Sequence, residues 1–118
     1  MSFRVGIIGL PVVDQVAHIP KFPQRGGHVS GSGLTLTPGG PAVNYATAIA
    51  RLGGRASLIG PVGNDAFGQL IISELGKEGV DVSYLKDNPE STTVTVLVLF
   101  DEGGQGEMRS FSLGLNEM

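Results

Sequence analysis

The sequence contains no cysteine. That absence excludes disulfides, thiolate zinc sites and a cysteine nucleophile, and it is compatible with a cytoplasmic protein. Basic residues are also scarce. Eight Lys and Arg stand against eleven Asp and Glu, a formal net charge of -3 with a pI near 5.2. No basic face is available for a phosphate backbone, so nucleic acid is not an expected partner. Long hydrophobic runs are missing too. The N-terminal "RVGIIGLPVVD" is closed by Asp14 after too few residues to cross a bilayer, and it lacks the small-residue cleavage site of a signal peptide. Neither a membrane span nor a targeting segment is expected.

What is present suits one compact domain: 118 residues, 41% of them hydrophobic. Val5, Ile7 and Ile8 lie in a short apolar run that reads as a parallel strand buried on both faces and ended by Pro11. A Gly- and Pro-rich loop follows, then a light exposed strand at "LTLT". Apolar positions from Ala42 to Leu52 recur at helical spacing, with Gly53 and Gly54 as the stop. "ASLIG" reads as a second buried strand. "GNDAFGQLIISELGKEG" reads as a second helix with Asn64 as N-cap, Asp65 set against the dipole, and Phe67, Leu70, Ile71 and Leu75 on its inner face. Strand, helix, strand, helix predicts an α/β protein with a parallel sheet. Farther on, "TTVTVLVLF", "DEGGQGE" and "MRSFSL" read as strand, turn and returning strand, with the first strand apolar on both faces in its second half.

The stretch "TPGGPAVNYATAIARLGG" sets two glycines and a proline against a helix start. Glycines let backbone approach a ligand closely, and a helix N-terminus offers unpaired N–H donors. Nucleotide fingerprints do not account for it. "GIIGLPVVD" is not G-x-G-x-x-G, and no G-x-x-x-x-G-K-[ST] occurs.

Taken in order, Asp14 after the first strand, "GGPAVN" at Gly39 to Asn44, "ARLGG", "IGPVGNDAFG" at Ile59 to Gly68, "LGKEGVDVSYL" and "GEMRSFSL" resemble the ribokinase-like carbohydrate kinases of the PfkB family. The resemblance covers essentially the whole chain. It implies a partial ribokinase-like parallel sheet with flanking helices (residues 1–14 and 38–90) plus a small β-sheet lid (15–37 and 91–118). It also implies that Asp14 accepts hydrogen bonds from sugar hydroxyls and that Gly39, Gly40 and Asn44 line the sugar pocket. The residue types suit that work, because a carboxylate takes two hydroxyl donors and an amide both donates and accepts.

Arg109 and Asn116 are further substrate-binding candidates from the lid side, Phe111 reads as lid packing, and His18 and His28 read as surface residues. Ribokinases proper carry a Lys after the double glycine and an Asn two residues before the acidic one. Here Pro41 and Val12 stand in those places, which favours a hexose or sugar acid over ribose. The family's late Gly-Ala-Gly-Asp loop, which carries the catalytic base, has no counterpart before Met118. The chain is therefore expected to be the N-terminal portion of an ATP-dependent, magnesium-dependent sugar kinase, inactive alone and without a catalytic residue of its own. A homodimer through the lid sheet is expected from the two-faced apolar ribbon. The alternatives are a nucleoside kinase of the same fold and a non-catalytic sugar-binding or lid-dimerisation module.

Overall fold

Val5 and Ile7 share one face of β1 (Arg4–Ile8), with Arg4, Gly6 and Ile8 on the other, and β1 pairs in parallel with β4 (Arg55–Gly63) from Arg4 opposite Arg55 to Ile8 opposite Ile59. The computed structural model describes residues 3–103 and 107–114. Between those strands the chain forms β2 (Val12–Ile19), β3 (Ser32–Gly39) and α1 (Pro41–Arg51). After β4 come α2 (Ala66–Lys77), β5 (Leu85–Asn88), β6 (Thr95–Asp101) and β7 (Met108–Leu113). One sheet has the order β1-β4-β5 and is parallel throughout. The other has the order β3-β2-β6-β7, with a parallel pair at its centre and antiparallel pairs on its flanks.

Two successive crossovers in the same direction place both helices on one face of the parallel sheet. Ala42, Val43 and Ala46 of α1, Ile71 and Leu75 of α2, and Ala56, Leu58 and Val62 of β4 form a single buried cluster there, joined by Val13 of β2. This arrangement corrects the expectation that β1 is buried on both faces. Ile8 is 83% exposed, because among the described residues both helices cover the opposite side of the sheet. No described helix is long and apolar enough to cross a membrane.

The second sheet contains a strand that sequence patterning missed. Between Pro11 and the loop read from His18 onward lies β2, whose "VVDQVAHI" alternates too poorly to declare itself. Asp14, after the first strand as expected, therefore lies inside a further strand, β2, and not in a loop. The antiparallel β6–β7 pair matches the expected hairpin, Val96 opposite Ser112 and Val98 opposite Ser110.

The start of α2 also differs from expectation. Asp65, not Asn64, is the N-cap, and its Oδ1 accepts from the Gly68 N–H at 2.8 Å. The same carboxylate accepts from the Thr93 N–H at 2.9 Å and from the Thr93 hydroxyl at 2.6 Å, while the Gly63 N–H donates to Thr93 Oγ1 at 2.8 Å. Partial burial raises the Asp65 pKa, but the donors from Thr93, Gly68 and Phe67 outweigh it and hold the group below its ordinary value.

Two stability measurements follow. Leu58 is fully buried and Leu52 is 82% exposed, so Leu58→Ala should cost about 2–5 kcal/mol in urea unfolding while Leu52→Ala should stay within about 0.5 kcal/mol. Equal costs would contradict the assigned core. A carboxylate with a depressed folded-state pKa stabilises above its unfolded value of about 3.9 and loses that contribution as pH falls through the folded value. Asp65→Ala should therefore cost about 1–2 kcal/mol at pH 7, with the gap to wild type closing as pH falls below the unfolded value of about 3.9. A gap independent of pH would contradict the hydrogen-bonded carboxylate.

Candidate functional site

Asp14 is the third residue of β2, where it pairs with Thr37 of β3 on one side and Val96 of β6 on the other; Val96 in turn opposes Ser112 of β7. Directly paired residues share a sheet face. Thr37, Asp14, Val96 and Ser112 thus form one row across all four strands.

The Asp14 side chain occupies the space where a side chain at position 39 would stand. A Cβ on Gly39 would lie 2.8 Å from Asp14 Cγ, with Oδ2 nearer still, so only glycine leaves room for the carboxylate. Gly40 follows with φ 96°, a conformation that favours glycine, and a Cβ there would lie 3.1 Å from the Leu10 carbonyl oxygen. Gly40 is the N-cap of α1, and no side chain caps this helix. Pro41 at the first position suits such a start, since its missing donor would have no partner there. The double glycine therefore does two jobs: Gly39 admits the carboxylate and Gly40 turns the chain into the helix.

Asn44 lies one turn into α1, donating its own N–H to the Gly40 carbonyl at 3.0 Å. Its side chain is exposed on a groove of about 410 Å³ between the two helices, which Thr37 and Pro38 of β3 also line. Asp14 does not line that groove. Thr37 is the residue that borders both, as Asp14's cross-strand partner and as part of the groove wall. Gly40 lines a separate apolar hollow of about 390 Å³ with Leu10, Val12 and Tyr45, outside the C-terminal end of β1. Ligands of open parallel sheets bind at that end of the strands.

The structure brings Asp14, Gly39 and Gly40 together, whereas the Asn44 side chain faces the interhelical groove, which meets this cluster through Thr37. Arg109 lies elsewhere. It opposes Leu99, an odd number of positions from the Val96–Ser112 rung, and so belongs to the other face of the second sheet. There its Nε donates to Glu107 at 3.1 Å, and its guanidinium sits 4.1 Å from the centre of the Phe22 ring. Asn116 lies outside the described residues. Among those described, no group of three or more His, Asp or Glu side chains is placed to hold a metal ion.

Thr37 and Thr93 are the polar residues that sequence reading overlooked. Thr37 sits in the alternating "LTLT", and knowing that Asp14 pairs with this strand would have singled it out. Thr93 carries no local signal, because its partner Asp65 is 28 positions away.

The comparisons with known proteins agree on the family. Residues 4–117 match the model of the pfkB family of carbohydrate kinases. A fructokinase of Escherichia coli is 44% identical over 112 residues, covering 95% of this chain and 32% of the relative. A ribokinase of Lactococcus lactis is 33% identical over 100 residues, covering 84% of this chain and 33% of the relative. The chain thus spans about one third of the length of the curated relatives it matches. Among solved structures, the ribokinase of Arabidopsis thaliana complexed with ribose and ATP superposes with a TM-score of 0.83 at 26% identity, over 94% of this chain and 36% of that one. The ribokinase of Cryptococcus neoformans in complex with ADP gives 0.75 at 29% identity, over 95% of this chain and 34% of that one. With its parallel sheet, one-sided helices and four-stranded second sheet, this chain has the ribokinase fold and belongs to the pfkB family of carbohydrate kinases.

Proposed function

We propose that this chain is the sugar-holding N-terminal portion of an ATP-dependent sugar kinase, with the second sheet as the lid over the sugar. The observation that carries the reading is the Asp14 carboxylate seated against Gly39, next to the uncapped start of α1. A carboxylate fixed on a strand accepts two hydroxyl hydrogens at once, and the glycine backbone lets the ring approach. Asn44 adds a group that both donates and accepts one helical turn away.

A hexose, fructose first, or a sugar acid suits the site better than ribose. Pro41 and Val12 remove two polar groups that ribokinases place around the pentose, and the fructokinase relative is more similar to this chain than the ribokinase relative. ATP as phosphoryl donor is supported by the family and by the nucleotides in the related ribokinase structures. The described residues do not fit a magnesium site, so none of them is assigned to the metal or to a step through it. The catalytic base is placed outside this chain, which alone is inactive. A cytoplasmic location accords with this reading and with the cysteine-free composition.

The lid's other face supports the homodimer. Leu34, Leu36, Phe111 and Leu113 share it with Leu97 and Leu99, and the first four remain 60%, 40%, 50% and 51% exposed. A second copy laid against the same face would cover them, as a two-fold interface does.

In the kinase carrying this chain, Asp14→Ala should weaken fructose binding about 10- to 100-fold by calorimetric titration, the worth of a charge-assisted hydrogen-bond pair. Gly39→Ala should do the same by displacing the carboxylate, and unchanged affinity in both variants would overturn the assignment. Phe111→Lys should convert a dimer to a monomer in sedimentation equilibrium. A wild-type protein that is monomeric at about 100 µM would contradict the lid dimer.

A further inference from the structure

The motif "GNDAFG" starts α2. Its two glycines ask for more. A Cβ on Gly63 would stand 2.6 Å from Asp65 Oδ2, the Thr93 nitrogen and the Ser91 carbonyl oxygen, and a Cβ on Gly68 would meet the Gly63 carbonyl oxygen first and Thr93 Oγ1 at 3.0 Å. The two glycines thus let the Gly63 backbone, the first turn of α2 and the Asp65–Thr93 pair close up on one another. A helix cap alone requires neither, since the Asp65 bond to the Gly68 N–H uses only backbone that any residue has.

Thr93 is 1% exposed and stands at the junction where the chain leaves the core for β6. Two strands of the second sheet, β2 and β7, meet it there. Val94 follows directly, and its carbonyl accepts from the Val13 N–H at 3.1 Å, one residue before Asp14. At the far end of β7, Gly114 turns with φ 92° where a Cβ would lie 3.3 Å from the Thr93 carbonyl oxygen. A continuous path therefore runs from the first turn of α2 through Asp65, Thr93, Val94 and Val13 to Asp14.

We infer that Asp65 is a positioning residue of the sugar site, acting through Thr93 to fix the angle of the lid and with it the place of the Asp14 carboxylate. The inference rests on the sugar-site reading above. It assigns the "GNDAFG" segment to lid placement, with no contact to substrate. The clamp has the properties this work needs. Its bonds are 2.6 to 2.9 Å long, the Gly63–Thr93 bond is buried and the two Asp65–Thr93 bonds are partly buried, and they join two parts of the chain that share no sheet. The depressed Asp65 pKa keeps the carboxylate ionised and accepting throughout the physiological range.

The experiment separates lid placement from helix stability by using two variants of the kinase that carries this chain. Asp65→Ser keeps an N-cap for α2 but is too short to hold Thr93 as well. Thr93→Ser keeps the hydroxyl and so both of its bonds. Fructose affinity is measured by calorimetry, and protection of the Val13 amide by hydrogen exchange. Asp65→Ser is expected to lose about 10- to 100-fold in affinity, the scale of a small misplacement, and to speed exchange at Val13 about as much. Thr93→Ser is expected to stay within about threefold of wild type in both readouts. Wild-type affinity and Val13 protection in Asp65→Ser would overturn the inference, as would equal losses in the two variants. If the wild-type kinase takes up no sugar, the sugar-site reading falls and the clamp stands or falls on Val13 exchange alone.

Discussion

One carboxylate connects the two halves of this fold. Asp65 accepts from the Gly68 N–H and from two donors of Thr93, and Thr93 in turn accepts from Gly63. The parallel sheet and the four-stranded sheet share no strand pairing, so their relative placement depends on contacts at the junction. Hydrophobic packing supplies part of this, with Val13 buried among core residues of both helices. Packing of smooth aliphatic groups constrains distance better than angle, whereas hydrogen bonds of 2.6 to 2.9 Å constrain both.

The same logic of making room operates at the candidate sugar site. Gly39 yields its side-chain volume to Asp14, as Gly63 and Gly68 yield theirs to the clamp. In each case backbone lies closer to a carboxylate than any side chain would permit. Fixed placement matters chemically, because a sugar hydroxyl gains little from an acceptor that must be ordered on binding. The absence of a capping side chain at Gly40 fits the same site, since it leaves the start of α1 open on the side where Gly40 and Val12 line a hollow.

Much of the parallel sheet was legible in the sequence because its signals are local. The 3.6-residue spacing from Ala42 to Leu52, the Gly53–Gly54 stop and the short run "ASLIG" each carry their meaning within a dozen residues. The burial of β1 was misjudged, since an apolar run reports that a strand can be covered on both faces, not that it is. The strand β2 was missed because its pattern depends on three environments at once: Val13 turned into the core, Asp14 against Gly39, His18 against Phe100 at the far end. Among the site residues, Asp14, Gly39 and Gly40 were legible through ordered motifs and do meet in space. Arg109 illustrates the limit of such reading, because which face a strand residue takes is fixed by register, which no local pattern shows. Thr93 was invisible for the same reason, its role being set by a partner in another element.

The proposed site holds a sugar on Asp14 at the Gly39–Gly40 turn. A crystal structure of the kinase with fructose bound tests it most directly. The account predicts a sugar between the lid's Thr37–Asp14–Val96–Ser112 row and the start of α1, with two of its hydroxyls within about 2.5–3.0 Å of the Asp14 carboxylate oxygens. A sugar bound with Asp14 out of reach, for instance along the interhelical groove beside Asn44, would contradict it.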